Sequence, residues 1–252
     1  MKLPLPVGSS LRRVASLALL LVLWEAAALL AQNRLFPTAG AVLRTLALEV
    51  LNGPLPHHLG VTLLRVAAAF FVAMAIGGII GIVMGRSRRL DALFDSWLVL
   101  LLNLPALVVI VLAYVWFGLT EAAAIGAVAV NKIPTVAVTL REGARGLDRD
   151  LVEVARSFRI GRMSNLRHIV LPQLYPYFLV AARSGLALVW KIVLVAELLG
   201  RSDGVGFAIQ LSFQQFDVTE ILAYTIAFTA VVQAIEWGIL QPLEQRSNRW
   251  RR

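Results

Sequence analysis

The chain has 252 residues, of which 59% are hydrophobic and 15% charged, and its mean hydropathy is +0.77. That balance excludes an ordinary soluble domain, because the apolar runs are too long and too free of charge to be covered by a polar surface. A net charge of +9 does not point to nucleic acid, since the basic residues sit between apolar runs, and the lack of cysteine excludes disulfides and thiolate metal sites. Six runs of about 20 residues, the length that crosses a hydrocarbon core of about 30 Å, are predicted to span a membrane. In chain order they are Val14–Ala31, Gly60–Gly85, Trp97–Gly118, Ala122–Leu140, Leu174–Leu198 and Ile221–Leu240. Arg12-Arg13 ahead of the first run imitates a secretory signal, but the run exceeds the usual roughly 7–15 apolar residues and no small-x-small site follows it. Between the first two spans, Phe36-Pro37, Asn52-Gly53-Pro54 and Pro56 bracket a short helix expected at about Ala39–Leu51. Residues 1–56 therefore read as a tail, an added first span and a connector, ahead of a five-span core over 57–252.

The basic residues alternate from one connection to the next. Seventeen lie in one set: the N-terminal segment, Arg86 to Arg89, Arg141 to Arg167, and the C-terminal segment. The opposite set holds only Arg34, Arg44 and Arg201. Positive residues stay on the cytoplasmic side, so both termini and the segment at about 141–172 are expected to face the cytoplasm.

That segment has the pattern of folded helices. Asp150 and Glu153 make an Asp-x-x-Glu capping box. Leu151, Val154 or Ala155, and Phe158 recur at helical spacing, while Arg156, Arg159 and Arg162 take another face. A helix held outside the lipid is expected to meet a partner.

Glu153-x-Ala155, followed by Ile169-x-Leu171-Pro172 with the proline nineteen positions after the glutamate, resembles the EAA loop of permease subunits in binding-protein-dependent ATP-binding-cassette (ABC) importers. The likeness runs from about His57 to the C-terminus and is greatest to the nitrate, sulfonate and taurine group. Leu104–Glu121, Arg145–Phe158 and Leu188–Phe207 support it. Two positions depart from the pattern: the family usually has Ala where Val154 stands and Gly where Arg159 stands, and Gly161 is the alternative turn residue. The resemblance implies an all-α membrane protein with the type I importer permease fold and cytoplasmic coupling helices, in a bacterial inner membrane. It implies ATPase subunits inside, an extracytoplasmic solute-binding protein, a second copy of the chain, no cofactor, and a small anionic solute. Glu153, Val154, Ala155, Phe158, Arg159 and Gly161, with Ile169, Leu171 and Pro172, are the positions it assigns to ATPase coupling.

Several absences sharpen this reading. The three lysines, Lys2, Lys132 and Lys191, never follow a glycine, so no Walker A loop is available and ATP hydrolysis belongs to a partner. His57, His58 and His168 have no metal-ligand spacing; the first two suit an interfacial position and His168 a local hydrogen bond. Within the spans, Asn103 (with Pro105), Lys132 (beside Asn131 and before Pro134) and Lys191 are candidates for the solute pathway. The alternative is a carboxylate partner in the bundle or, for Lys191, an outward-reaching side chain. Arg183 is expected at the interface, and Glu25, Gln233 and Glu236 in structural roles. Gly200–Asp217 is expected to hold either a short helix near the external gate and binding protein or a plain loop with an interfacial helix. Two other classes are weighed: an ion-driven secondary transporter, which leaves the cytoplasmic helices without a purpose, and an intramembrane enzyme, for which no nucleophile–base pair is present.

Overall fold

The computed structural model describes residues 7–148, 150, 151, 153, 157, 158, 161–240 and 242. All regular elements among these are helical. They are α1 (Val7–Ala31), α2 (Ala39–Leu51), α3 (Leu55–Arg86), α4 (Arg88–Leu102), α5 (Ala106–Phe117) and α6 (Glu121–Arg145). After the loop come α7 (Arg162–Asn165), a π-helical turn (Leu166–Val170), α8 (Leu171–Gly200), α9 (Val205–Gln214), α10 (Val218–Ile235) and a second π-helical turn (Glu236–Leu240). Four starts carry side-chain caps of the kind that satisfies an orphan amide: Thr38, Ser87, Thr120 and Asp217 accept from Ala41, Leu90, Ala123 and Glu220.

Among the described residues, four helices are long and apolar enough to cross a membrane, Leu55–Arg86, Glu121–Arg145, Met163–Gly200 and Val218–Gly238, and the bent pair α4–α5 makes a fifth if it counts as one span. The first predicted span corresponds to the shorter apolar stretch Ala18–Ala31 of α1. The third is not the single span expected over Trp97–Gly118, because α4 and α5 meet at 94°. Pro105 supplies no amide and disfavours helical geometry at Leu104, and Asn103 Nδ2 donates to the Val99 carbonyl at 2.7 Å, closing α4. Helices run past their apolar runs elsewhere: α3 begins five residues before Gly60 and α6 ends five after Leu140. Hydropathy marks only the stretch that lipid would cover.

The spine of the bundle is α3 against α6. Gly77, Gly81 and Gly85 recur every four residues on one face of α3, and a Cβ there would lie 2.7, 2.3 and 2.6 Å from the carbonyls of Ile133, Ala137 and Arg141. Small residues at this spacing let two backbones meet, the means by which helices associate where lipid removes the hydrophobic drive. α8 covers the other side of α6, and Val66, Ile110, Val128, Val189, Trp190 and Tyr224 fill the shared core. At the basic end, Arg141 pairs with Asp91 and Asp95, and Arg145 with Asp91, tying α6 to the start of α4. α1 is fastened separately. Trp24 Nε1 donates to the Pro37 carbonyl at 3.1 Å, and Glu25 Oε2 accepts from Gly40 in the first turn of α2 at 3.2 Å.

Candidate functional site

At the basic end, the 141–172 segment leaves α6 and returns as α8. The cap expected from Asp150 comes instead from Asp148, whose Oδ1 accepts from the amides of Asp150 at 2.9 Å and Leu151 at 3.4 Å. Asp148 is in turn held by its own amide, which donates to Gln173 Oε1 at 2.9 Å. Residues 150, 151, 153 and 157 are helical, and Ser157 Oγ donates to the Glu153 carbonyl. Val154, Ala155 and Arg159 lie outside the described residues. Glu153 is exposed, and so are the apolar Phe158 at 78% and Met163 at 75%. Gly161 stands in open space and accepts from Asn165, so it opens α7. His168 bonds locally, its Nδ1 3.0 Å from the Ser164 carbonyl.

α7, the π turn and α8 form one rod without a break from residue 162 to residue 200. The π turn is explained by Pro172. A proline clashes with the carbonyl four residues back, and shifting the bond of Leu171 to Leu166, five back, widens the helix. Ile169 is half-buried, Leu171 is 40% exposed, and Pro172 faces outward in the first turn of α8.

The pathway candidates do not share one surface. Asn103 is exposed at the α4–α5 break, next to Asn131, whose Nδ2 donates to the Leu104 carbonyl at 3.4 Å. Asn131 lies two residues from the centre of α6, so the break is level with the middle of that helix. An apolar cavity of about 500 Å³ opens beside it, lined by Leu104, Val109, Trp116, Gly126 and Val130 among others. Lys132 points the other way. It is 1% exposed, its Nζ finds no hydrogen-bond partner among the described residues, and its stem runs against Gly185 of α8, whose added Cβ would meet Cε at 3.0 Å. Lys191 projects from the bundle surface. Arg183 pairs with Glu236 of the second π turn at 3.4 Å.

The far end holds a cluster that sequence reasoning did not assemble. Arg65 of α3, 3% exposed, donates to Glu121 at the start of α6, to Glu197 near the end of α8, and to both the carboxylate and the carbonyl of Asp203. Glu197, fully buried, also accepts from Thr62 Oγ1 and from the amide of Gly206, each at 2.9 Å. Arg201 adds a bond of 2.6 Å to Glu121. Each of these residues is visible in the sequence as a charge in or beside a span. Their partnerships join positions 56 to 138 apart, which no local pattern reports.

A π turn within a span, a sharply bent helix pair and a close-packed small-residue spine define a helical membrane protein with an exposed loop at one end. Residues 73–235 match the family described as "Binding-protein-dependent transport system inner membrane component". The chain belongs to that family: it is the membrane-spanning permease subunit of an ABC importer, a subunit that does not itself carry out catalysis. It is 32% identical over 215 residues to a Bacillus subtilis (strain 168) chain named as an aliphatic sulfonates transport permease, SsuC, covering 85% of this chain and 78% of that one. It is 30% identical over 247 residues to the taurine transport system permease protein TauC of Escherichia coli (strain K12), covering 94% and 88%. In fold it is similar to a chain of the inward-facing methionine ABC transporter MetNI, with a TM-score of 0.65 at 18% identity over 77% of this chain and 98% of that one.

Proposed function

We propose that two copies of this subunit enclose one path for a small anion and are driven from the cytoplasm through the 141–172 loop. The observation that carries the coupling role is the exposure of the apolar Phe158, at 78%, on the segment between the spans Glu121–Arg145 and Met163–Gly200. Apolar side chains of that size held in water suit a groove on a partner. Glu153, Val154 and Ala155 enter the ATPase groove with Phe158, and Arg159 and the other arginines set orientation at its rim. Gly161, Ile169, Leu171 and Pro172 join this contact to α8. The seventeen basic residues on one side support a topology with the loop and both termini inside. When the ATPase dimer closes on ATP, the docked segment carries α8 with it and the bundle rocks.

The path runs along the α4–α5 break. Irregular backbone at mid-membrane depth is tolerated only where protein or water covers it. Asn103 and Asn131 are therefore assigned to the inner wall, with the second copy closing over the cavity beside them. Lys132 supplies the cation for the anion. Here it is sealed beneath Gly185, and separation of α6 from α8 uncovers it. Lys191 lies nearer the mouth. The sulfonate and taurine named for relatives support an anionic solute, delivered to α9 and its flanking loops by an external binding protein. Residues 1–56 are an added helix and connector outside the five-span core, and lipid covers the remaining apolar faces.

Phe158→Asp and Glu153→Arg test the coupling role. Each is expected to abolish uptake while the subunit still inserts; wild-type transport in either variant rules the role out. The solute is identified by the ligand that the cognate binding protein retains on purification.

A further inference from the structure

The far-end cluster is built as a permanent joint. A guanidinium has five N–H donors, and all five of Arg65 are engaged: Nε on Glu121, Nη1 on Glu197 and the Asp203 carbonyl, Nη2 on Glu121 and Asp203. The start of α9 depends on the same group. Gly204 has no side chain with which to cap the helix, and a Cβ there would lie 2.4 Å from the Glu197 carboxylate. The cap comes from other helices instead. The amide of Gly204 donates to His58 Nδ1, that of Val205 to Thr62 Oγ1 and that of Gly206 to Glu197 Oε2, at 3.0, 2.8 and 2.9 Å. A carboxylate at a helix N-terminus is favoured by the helix dipole as well as by the hydrogen bond.

A hydrogen-bonded network centred on two buried charges, Arg65 and Glu197, rigidifies, and parting α9 from it leaves Glu197 short of a buried partner. α9 therefore stays fixed to α3 and α8. α8 is also the rod that begins at the coupling loop, about 45 Å of helical rise away. At the far end α9 shows Leu211 and Phe213 to solvent, and Phe216 follows directly, at 45%, 66% and 71% exposure.

We propose that Arg65 and Glu197 are positioning residues: they weld α9 to α8, so that the surface meeting the solute-binding protein and the loop meeting the ATPase are two ends of one lever. This rests on the coupling and docking roles proposed above. The weld stays closed in every nucleotide state, and through it docking outside raises ATP hydrolysis inside; for the binding steps, docking outside and ATP binding inside favour each other by the same factor.

The test uses the permease assembled with its ATPase and binding protein in vesicles. Glu197→Gln keeps the volume but turns an amide donor toward other donors. It is expected to leave basal ATP hydrolysis within about twofold of wild type, and to lower uptake and its stimulation by loaded binding protein by about tenfold or more. The amides of Gly204, Val205 and Gly206 are expected to be protected from hydrogen exchange in wild type both without nucleotide and with trapped ATP. In the variant they exchange about tenfold faster. Full stimulation in the variant, or loss of protection in either state of the wild type, overturns the proposal. Arg65→Lys, which loses the planar fork, is the second variant. If neither variant assembles with the ATPase, the cluster serves folding alone and the proposal is wrong. A wild-type complex without nucleotide-dependent uptake would instead refute the transport assignment.

Discussion

Lys132 shows how far a single residue was readable from the sequence. An ammonium in an apolar run stands out, and the structure finds it buried without a hydrogen-bond partner among the described residues. Arg65 gave the same signal but no clue to its role, because its partners come from α6, α8 and the loop after α8. The loop cap differs for a smaller reason: Asp148 and Asp150 both precede the helix, and which one turns inward is decided by the Asp148 amide meeting Gln173. A buried cation held for function is a cost to the fold, and the two roles predict opposite signs for one substitution. Lys132→Met keeps the length and removes the charge, so the purified subunit is expected to unfold later, by about 1–3 kcal/mol of added stability. Uptake of an anionic solute should fall sharply in the same variant. Thermal unfolding and transport are measured side by side; a less stable variant with unchanged uptake contradicts the assignment.

At the scale of elements, the apolar runs sufficed to locate helices, and α2 was predicted at the residues where it occurs, Ala39–Leu51. Breaks and contacts were less legible. Asn103 and Pro105 marked an interruption in the third span, yet a right-angled turn is set by what α5 packs against, and that is α6, which follows it, and α8, far along the chain. Both readings of Gly200–Asp217 contained a short helix, and α9 is that helix, with Val205, Ala208 and Ser212 buried in the bundle. The glycine spacing of α3 was present in the sequence, but its meaning needs the facing carbonyls of α6. At Gly81 the obstacle to a side chain is backbone, 2.3 Å away, so no rotamer change relieves it. Gly81→Leu is therefore expected to cost about 1–3 kcal/mol or more and to deplete the subunit from the membrane. Gly60→Ala, where nothing lies within 4 Å, serves as the control. Equal membrane levels of the two variants would argue against the spine.

For the whole molecule, the question is which exposed face would meet lipid and which the second copy proposed above. Both are apolar, so hydropathy does not separate them, but backbone chemistry does. Lipid offers no hydrogen bonds, and an exposed break at its midplane is costly unless protein or water lies over it. The break at residues 103–105 lies beside the cavity that reaches Gly126 on α6, where a Cβ finds open space. That face is assigned to the partner copy and the path between the two. Leu64 on α3, 72% exposed with no break near it, is assigned to lipid. The chain has no cysteine, so a single introduced thiol reports without background. In membranes holding the assembled importer, Gly126→Cys is expected to cross-link to a second copy and give a band at twice the subunit mass. Leu64→Cys should remain a monomer under the same reagent. The reverse pattern would place the path on another face of the bundle and leave the α4–α5 break without a reason.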